Sequence, residues 1–141
     1  MRYVSQADIE AAIPPDTLRQ LSSDDPHAAG PDWTVVEQAV AYAEELIDAH
    51  LRGRYALPLA TVPTVLRNLT IDLTRCWLYG RRPEGMDFPE AVRRGCDNAM
   101  KLLKSLADGT ISLGLPTGES TPTVGSPSFL APGRVMDEGA L

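Results

Sequence analysis

The 141-residue chain has no apolar run approaching the roughly 20 residues that a membrane-spanning helix needs. Its start, MRYVSQADIE, has no apolar stretch that could serve as a signal peptide, so no membrane association is expected and the chain should be made and remain in the cytosol. Cysteine is scarce. Cys76 and Cys96 are the only two, each in an apolar helical pattern without a second Cys or His at ligand spacing, and they are expected to be reduced core thiols. A chain of this length buries enough surface to fold as one domain without a disulfide or metal.

The groups that catalysis would need are also few. His27 lies in the loop DDPHAAGPD, where Asp24, Asp25 and Asp32 could offer oxygens to a hard cation, but the spacing is not that of a calcium loop and a solvated turn accounts for it. His50 falls near the end of a helical pattern, where a charged imidazole suits the helix dipole. No serine sits in a G-x-S-x-G setting, and Gly114, Gly118 and Gly125 lack the strand, Lys-Ser/Thr pair and following helix of a phosphate-cradling loop. The expectation is a protein that is not an enzyme, with no catalytic, cofactor-binding or metal-binding residues and no cofactor. The aromatics Trp33, Trp77, Tyr55 and Tyr79 are assigned to core or subunit packing.

Charge is plentiful but unevenly placed. The net charge is −6, with 4 basic and 10 acidic residues in positions 1–60, 8 and 5 in positions 61–107, and 1 and 4 in positions 108–141. A basic middle between acidic flanks does not suit a protein that grips duplex DNA, since such binding scales with phosphate contacts from a concentrated basic face. A helix-turn-helix would use Arg67, Arg75, Arg81 and Arg82, but the link before Pro63 is too long and proline-rich, and the preceding helix is acidic.

Apolar spacing predicts an all-α fold: two short N-terminal helices, three longer ones and an extended C-terminal tail. Ser5 and Asp8 start a first helix that ends at Pro14, and Pro15 opens a second through Leu18 and Leu21. Asp32 caps a helix from Trp33 to about Arg52 with Val36, Val40, Ala43, Ile47 and Leu51 inward and Glu37, Glu44, Glu45 and Asp48 off that stripe. Tyr55, Leu57 and Leu59 form an extended link packed on the core. Pro63 opens a helix with Leu66, Leu69, Leu73 and Cys76 or Trp77 inward, ending near Tyr79 and Gly80. Pro89 opens the last, with Val92, Cys96, Ala99, Leu103 and Leu106 inward and Gly109 as its cap. Thr110 to Leu115 could be a short strand or an extended arm. The final 26 residues hold four prolines and four glycines, so residues 1–114 are read as the helical body and 115–141 as a flexible tail.

Three pieces in order, IDAHLRGRYALPLATVP, TVLRNLTIDLTRCWLYGRR and AMKLLKSLADGTISLG, together with the opening SQADIEAAIPPDTLRQLSSDD, resemble a family of Mu-like prophage structural proteins, formerly a domain of unknown function. The resemblance covers most of residues 3–115. That family is similar to the head-tail connector, or adaptor, proteins of tailed phages. The resemblance implies a virion protein of the phage neck, assembled in the bacterial cytoplasm, whose copies form a ring below the portal around the DNA channel. The implied partners are other copies of the chain, the portal protein and a tail-completion or tail-terminator protein, with DNA passing through the lumen without sequence-specific binding. Subunit contacts are expected between Glu37, Glu44, Glu45 or Asp48 of one copy and Arg67, Arg75, Arg93 and Arg94 of the next, and portal docking from the tail, Leu115 to Leu141. Another neck or tail-completion component is the alternative, and a small helical DNA-binding regulator a more distant one.

Overall fold

A computed structural model describes residues 1–82 and 88–115. It has five helices, α1 (Gln6–Ala12), α2 (Pro15–Ser22), α3 (Trp33–Leu51), α4 (Thr64–Gly80) and α5 (Glu90–Asp108), and no strand among the described residues. The all-α bundle expected from apolar spacing is the fold observed. The stretch 110–115 is irregular, which settles the strand-or-arm alternative against a strand.

Local chemistry sets the helix ends. Ser5 and Asp8 form a reciprocal capping box at α1, the Ser5 hydroxyl accepting from the Asp8 amide at 3.2 Å and the Asp8 carboxylate accepting from the Ser5 amide at 2.9 Å. Pro15 occupies the first turn of α2, where its missing N–H costs nothing. The Asp32 carboxylate accepts from the Thr34 amide at 3.0 Å to start α3. Pro63 and Pro89 precede α4 and α5. Gly109 ends α5 at φ +85°, a left-handed backbone that a side chain disfavours. The Arg54 guanidinium occupies the space beside it: a Cβ at Gly109 would come within 2.9 Å of Arg54 Cζ. There the cation faces the negative end of the α5 dipole, and its buried Nη1 has no hydrogen-bond partner among the described residues.

The core has two parts that share a spine. Val4, Ile9, Ile13, Leu18 and Leu21 pack with Val36, Ala39 and Val40 from the first half of α3 and Ile71 and Leu78 from α4. Ala43, Ile47 and Leu51 from the second half of α3 pack with Leu66, Leu69 and Leu73 of α4 and Ala99, Leu103 and Leu106 of α5. The inward stripe of α3 is therefore as its spacing predicts. That of α4 is wider, because α4 is covered on two sides; Thr70 and Thr74 are buried too, and Thr70 donates its hydroxyl to the Leu66 carbonyl at 2.7 Å. Tyr55 is buried, while Leu57, Leu59 and Val62 pack half-buried on the second cluster, so the link is laid on the core as expected; its Leu57–Pro58 bond is cis.

The helices α3 and α4 run antiparallel. The end of α4 lies against the α2–α3 loop, where Arg81 donates to the Leu21 carbonyl at 2.8 Å and pairs with Asp24 at 3.2 Å. The antiparallel course continues into α5, with Cys76 meeting Cys96 and the Tyr79 ring 6.0 Å from that of Phe88.

Candidate functional site

The eight charged residues expected at subunit contacts fall into three groups. Glu44 and Asp48 face inward, toward the N-terminal coil segment of residues 2 and 3. Glu44 is 4% exposed and its carboxylate accepts from the backbone amides of Arg2 at 2.5 Å and Tyr3 at 2.8 Å. Asp48, one turn on, accepts from the Tyr3 hydroxyl and pairs with Arg2 at 2.9 Å. The placement of Glu44 off the buried stripe is thus corrected: residues 2 and 3 cover it and supply two donors to satisfy it. Arg2 and Tyr3 are the partners that sequence reasoning missed, since nothing in helical spacing reports where a preceding coil segment lies.

Arg67 and Arg75 have partners within the chain. Arg67 lies 3.8 Å from Asp8, and Arg75 reaches Asp72 and the Ala12 carbonyl, each at 3.3 Å. Burial raises the Asp72 carboxyl above its ordinary value, with the neighbouring Arg75 opposing that shift. Such partly exposed pairs hold a residue loosely, contributing about 0–1 kcal/mol. Glu37, Glu45, Arg93 and Arg94 are exposed and make no ion pair among the described residues. Lys101 and Lys104 share the exposed side of α5 with Arg93 and Arg94, and Glu90, Asp97 and Asp108 are exposed among them, so that side is only slightly basic.

The two cysteines differ from expectation. Cys76 and Cys96 are joined as a disulfide, with Cα atoms 5.9 Å apart, and both are only half-buried. Spacing along a single helix reports only whether each cysteine faces inward; the antiparallel packing of α4 and α5 sets the two opposite one another. Two hollows flank the bond. A groove of about 420 Å³ opens on the α3 side, among Tyr42, Leu46, Leu73, Trp77 and Met100, and a smaller one of about 240 Å³ lies on the other side, beside Asp72, Arg75 and Val92. Tyr42 and Met100 are close to half exposed at the rim of the larger groove.

The Asp-rich loop resolves into structural duties. Asp24 pairs with Arg81, Asp25 accepts from the His27 amide at 2.9 Å and Asp32 caps α3. His50 Nδ1 lies 2.8 Å from the Leu46 carbonyl of its own helix. Among the described residues no three His, Cys, Asp or Glu side chains gather as a metal site, and no helix is long and apolar enough to cross a membrane. Of the expected docking tail, Leu115 packs half-buried against the second core cluster, and 116–141 lie outside the described residues.

The family model described as "Bacteriophage Mu, Gp36" matches residues 3–131, which extends the likeness seen over 3–115 by sixteen residues. The Mu-like prophage FluMu protein gp36 of Haemophilus influenzae is 34% identical over 96 residues, 68% of this chain and 64% of that protein. The chain thus aligns with a little under two thirds of that relative's length. Gene product J of Escherichia phage Mu is 28% identical over 115 residues, 82% of this chain and 78% of its own length. With nearly its whole length matched, the chain belongs to the bacteriophage Mu Gp36 family.

Proposed function

We propose that the protein is a head-tail connector subunit of a Mu-like phage or prophage, one copy of a ring that lies below the portal and surrounds the DNA channel. The observation that carries this reading is a set of exposed charges of opposite sign on one small body, unpaired among the described residues: Glu37 and Glu45 on α3, and Arg93 and Arg94 on α5, whose exposed side also carries Lys101 and Lys104 with the acids Glu90, Asp97 and Asp108 among them. Opposite charges on two helices suit a head-to-tail contact, and repetition of such a contact closes a ring. The phage family supports a place in the particle, and the net charge of −6 keeps a surrounding protein from gripping DNA that must slide past it.

In this mechanism α3 of one copy meets α5 of the next. Arg67 and Arg75 contribute once their loose internal pairs open, whereas Glu44 and Asp48 stay with the N-terminal segment. The tail, 115–141, docks on the portal.

The test is size-exclusion chromatography with light scattering on the purified chain, alone and with the portal protein of the same genome. A ring or a co-eluting complex is expected. Glu37→Arg with Glu45→Arg should abolish it, and Arg93→Glu with Arg94→Glu in a mixed second copy should restore it. A monomer that ignores the portal would sink the connector reading and favour another neck or tail-completion component.

A further inference from the structure

The two ends of α5 are held in different ways. Its buried residues, Ala99, Leu103 and Leu106, all lie in the second half. In the first half, Glu90 to Asn98, no residue is buried; Val92, Gly95 and Cys96 are half-covered, and the contacts there include the Tyr79–Phe88 ring pair, the Arg93 guanidinium over the Phe88 ring and the disulfide. This half-helix is intrinsically weak. Nine residues are fewer than an isolated helix needs to persist in water, and Gly95, with open space where its Cβ would be, lowers helix propensity next to the bonded cysteine.

We propose that the Cys76–Cys96 bond is a redox-controlled latch for the first half of α5, closed in the oxidised protein and released on reduction. The bond is accessible to a thiol reductant, because both cysteines line the hollows on either side of it. A reductant thiolate attacks one sulfur to give a mixed disulfide, and a second reductant thiol displaces it. The protein gains two electrons and two protons as two thiols, and the reductant leaves as its own disulfide. Release frees a segment that carries Arg93 and Arg94 and forms one wall of the smaller groove through Ala91, Val92 and Gly95, whereas the rest of the body keeps its buried contacts. The latch stands independently of the connector reading: it concerns the isolated chain, and it survives if no ring forms.

The experiment is hydrogen-deuterium exchange by mass spectrometry on the full chain, air-oxidised and after dithiothreitol, with thiols counted in both states. No free thiol is expected in the oxidised protein and two in the reduced. Reduction should speed exchange in 90–98 by about tenfold or more while 33–51 and 99–106 change less than about twofold. The double variant Cys76→Ser, Cys96→Ser should behave like the reduced protein without reductant and keep the helical circular dichroism of the body. Two free thiols in the air-oxidised protein would overturn the proposal. So would equal exchange of 90–98 in both states, or loss of the whole fold on reduction, which would make the bond a support of the entire body.

Discussion

Tyr3 and Glu44 stand 41 residues apart in the chain and meet through a buried hydrogen bond, the Tyr3 amide donating to the Glu44 carboxylate at 2.8 Å. The Arg2 amide shares the same oxygen. One acidic residue thus fastens the start of the chain to the middle of α3. Glu44→Ala leaves both amides without their acceptor and should cost about 2 kcal/mol in urea unfolding. Glu45→Ala, exposed on the same helix, should stay within about 0.5 kcal/mol of the parent.

The Tyr3 hydroxyl should resist alkali. Burial, then its hydrogen bond to Asp48, raises this phenol well above the ordinary value near 10. A raised folded value means that the stabilisation is fully present below about pH 10 and is lost as pH rises through the folded value. In an absorbance titration, one tyrosine phenol should ionise only well above pH 10, and Asp48→Asn should bring it down.

The close approach of Arg54 to Gly109 separates backbone strain from crowding. Gly109→Ala must adopt positive φ, at about 1 kcal/mol, and must also displace the guanidinium. A total loss of about 2–3 kcal/mol is expected in the parent, falling to about 1 kcal/mol in an Arg54→Ala background. Equal costs in the two backgrounds would mean that the guanidinium moves aside freely.

The capping box of α1 should be visible in acid. Ser5→Ala removes an N-cap acceptor and should lower stability by about 1 kcal/mol at neutral pH. The Asp8 carboxyl is held below its ordinary value, chiefly by the Ser5 amide. Its contribution is therefore present above the ordinary carboxylate value and disappears as pH falls through the lower folded one. Thermal melts from neutral pH into acid should show a shallower acid limb in Asp8→Asn.

The helices were legible in the sequence because their signals are local. Ser5, Asp32, Pro15, Pro63, Pro89 and Gly109 each act within a turn of themselves, and the stripe Val36 to Leu51 needs only a 3.6-residue period. The site was less legible because its chemistry is long-range. Glu44 resembled its exposed neighbour Glu45 until residues 2 and 3 were laid over it, Cys76 and Cys96 became partners only through the antiparallel register of α4 and α5, and Arg81 found Asp24 across 57 residues. Charge pattern showed which residues could make contacts between copies, but it carried no information about which ones the fold itself would use.

The shared spine of the core also determines how damage spreads. At seven and eight residues, α1 and α2 are too short to persist alone, and their anchors Ile9 and Leu18 press on the same two long helices that α5 uses. A polar substitution at Ile9 would therefore not simply detach the N-terminal helices. It would expose Val36 and Leu78, reduce the folded fraction of the whole body and reach a cell as lower abundance of intact protein.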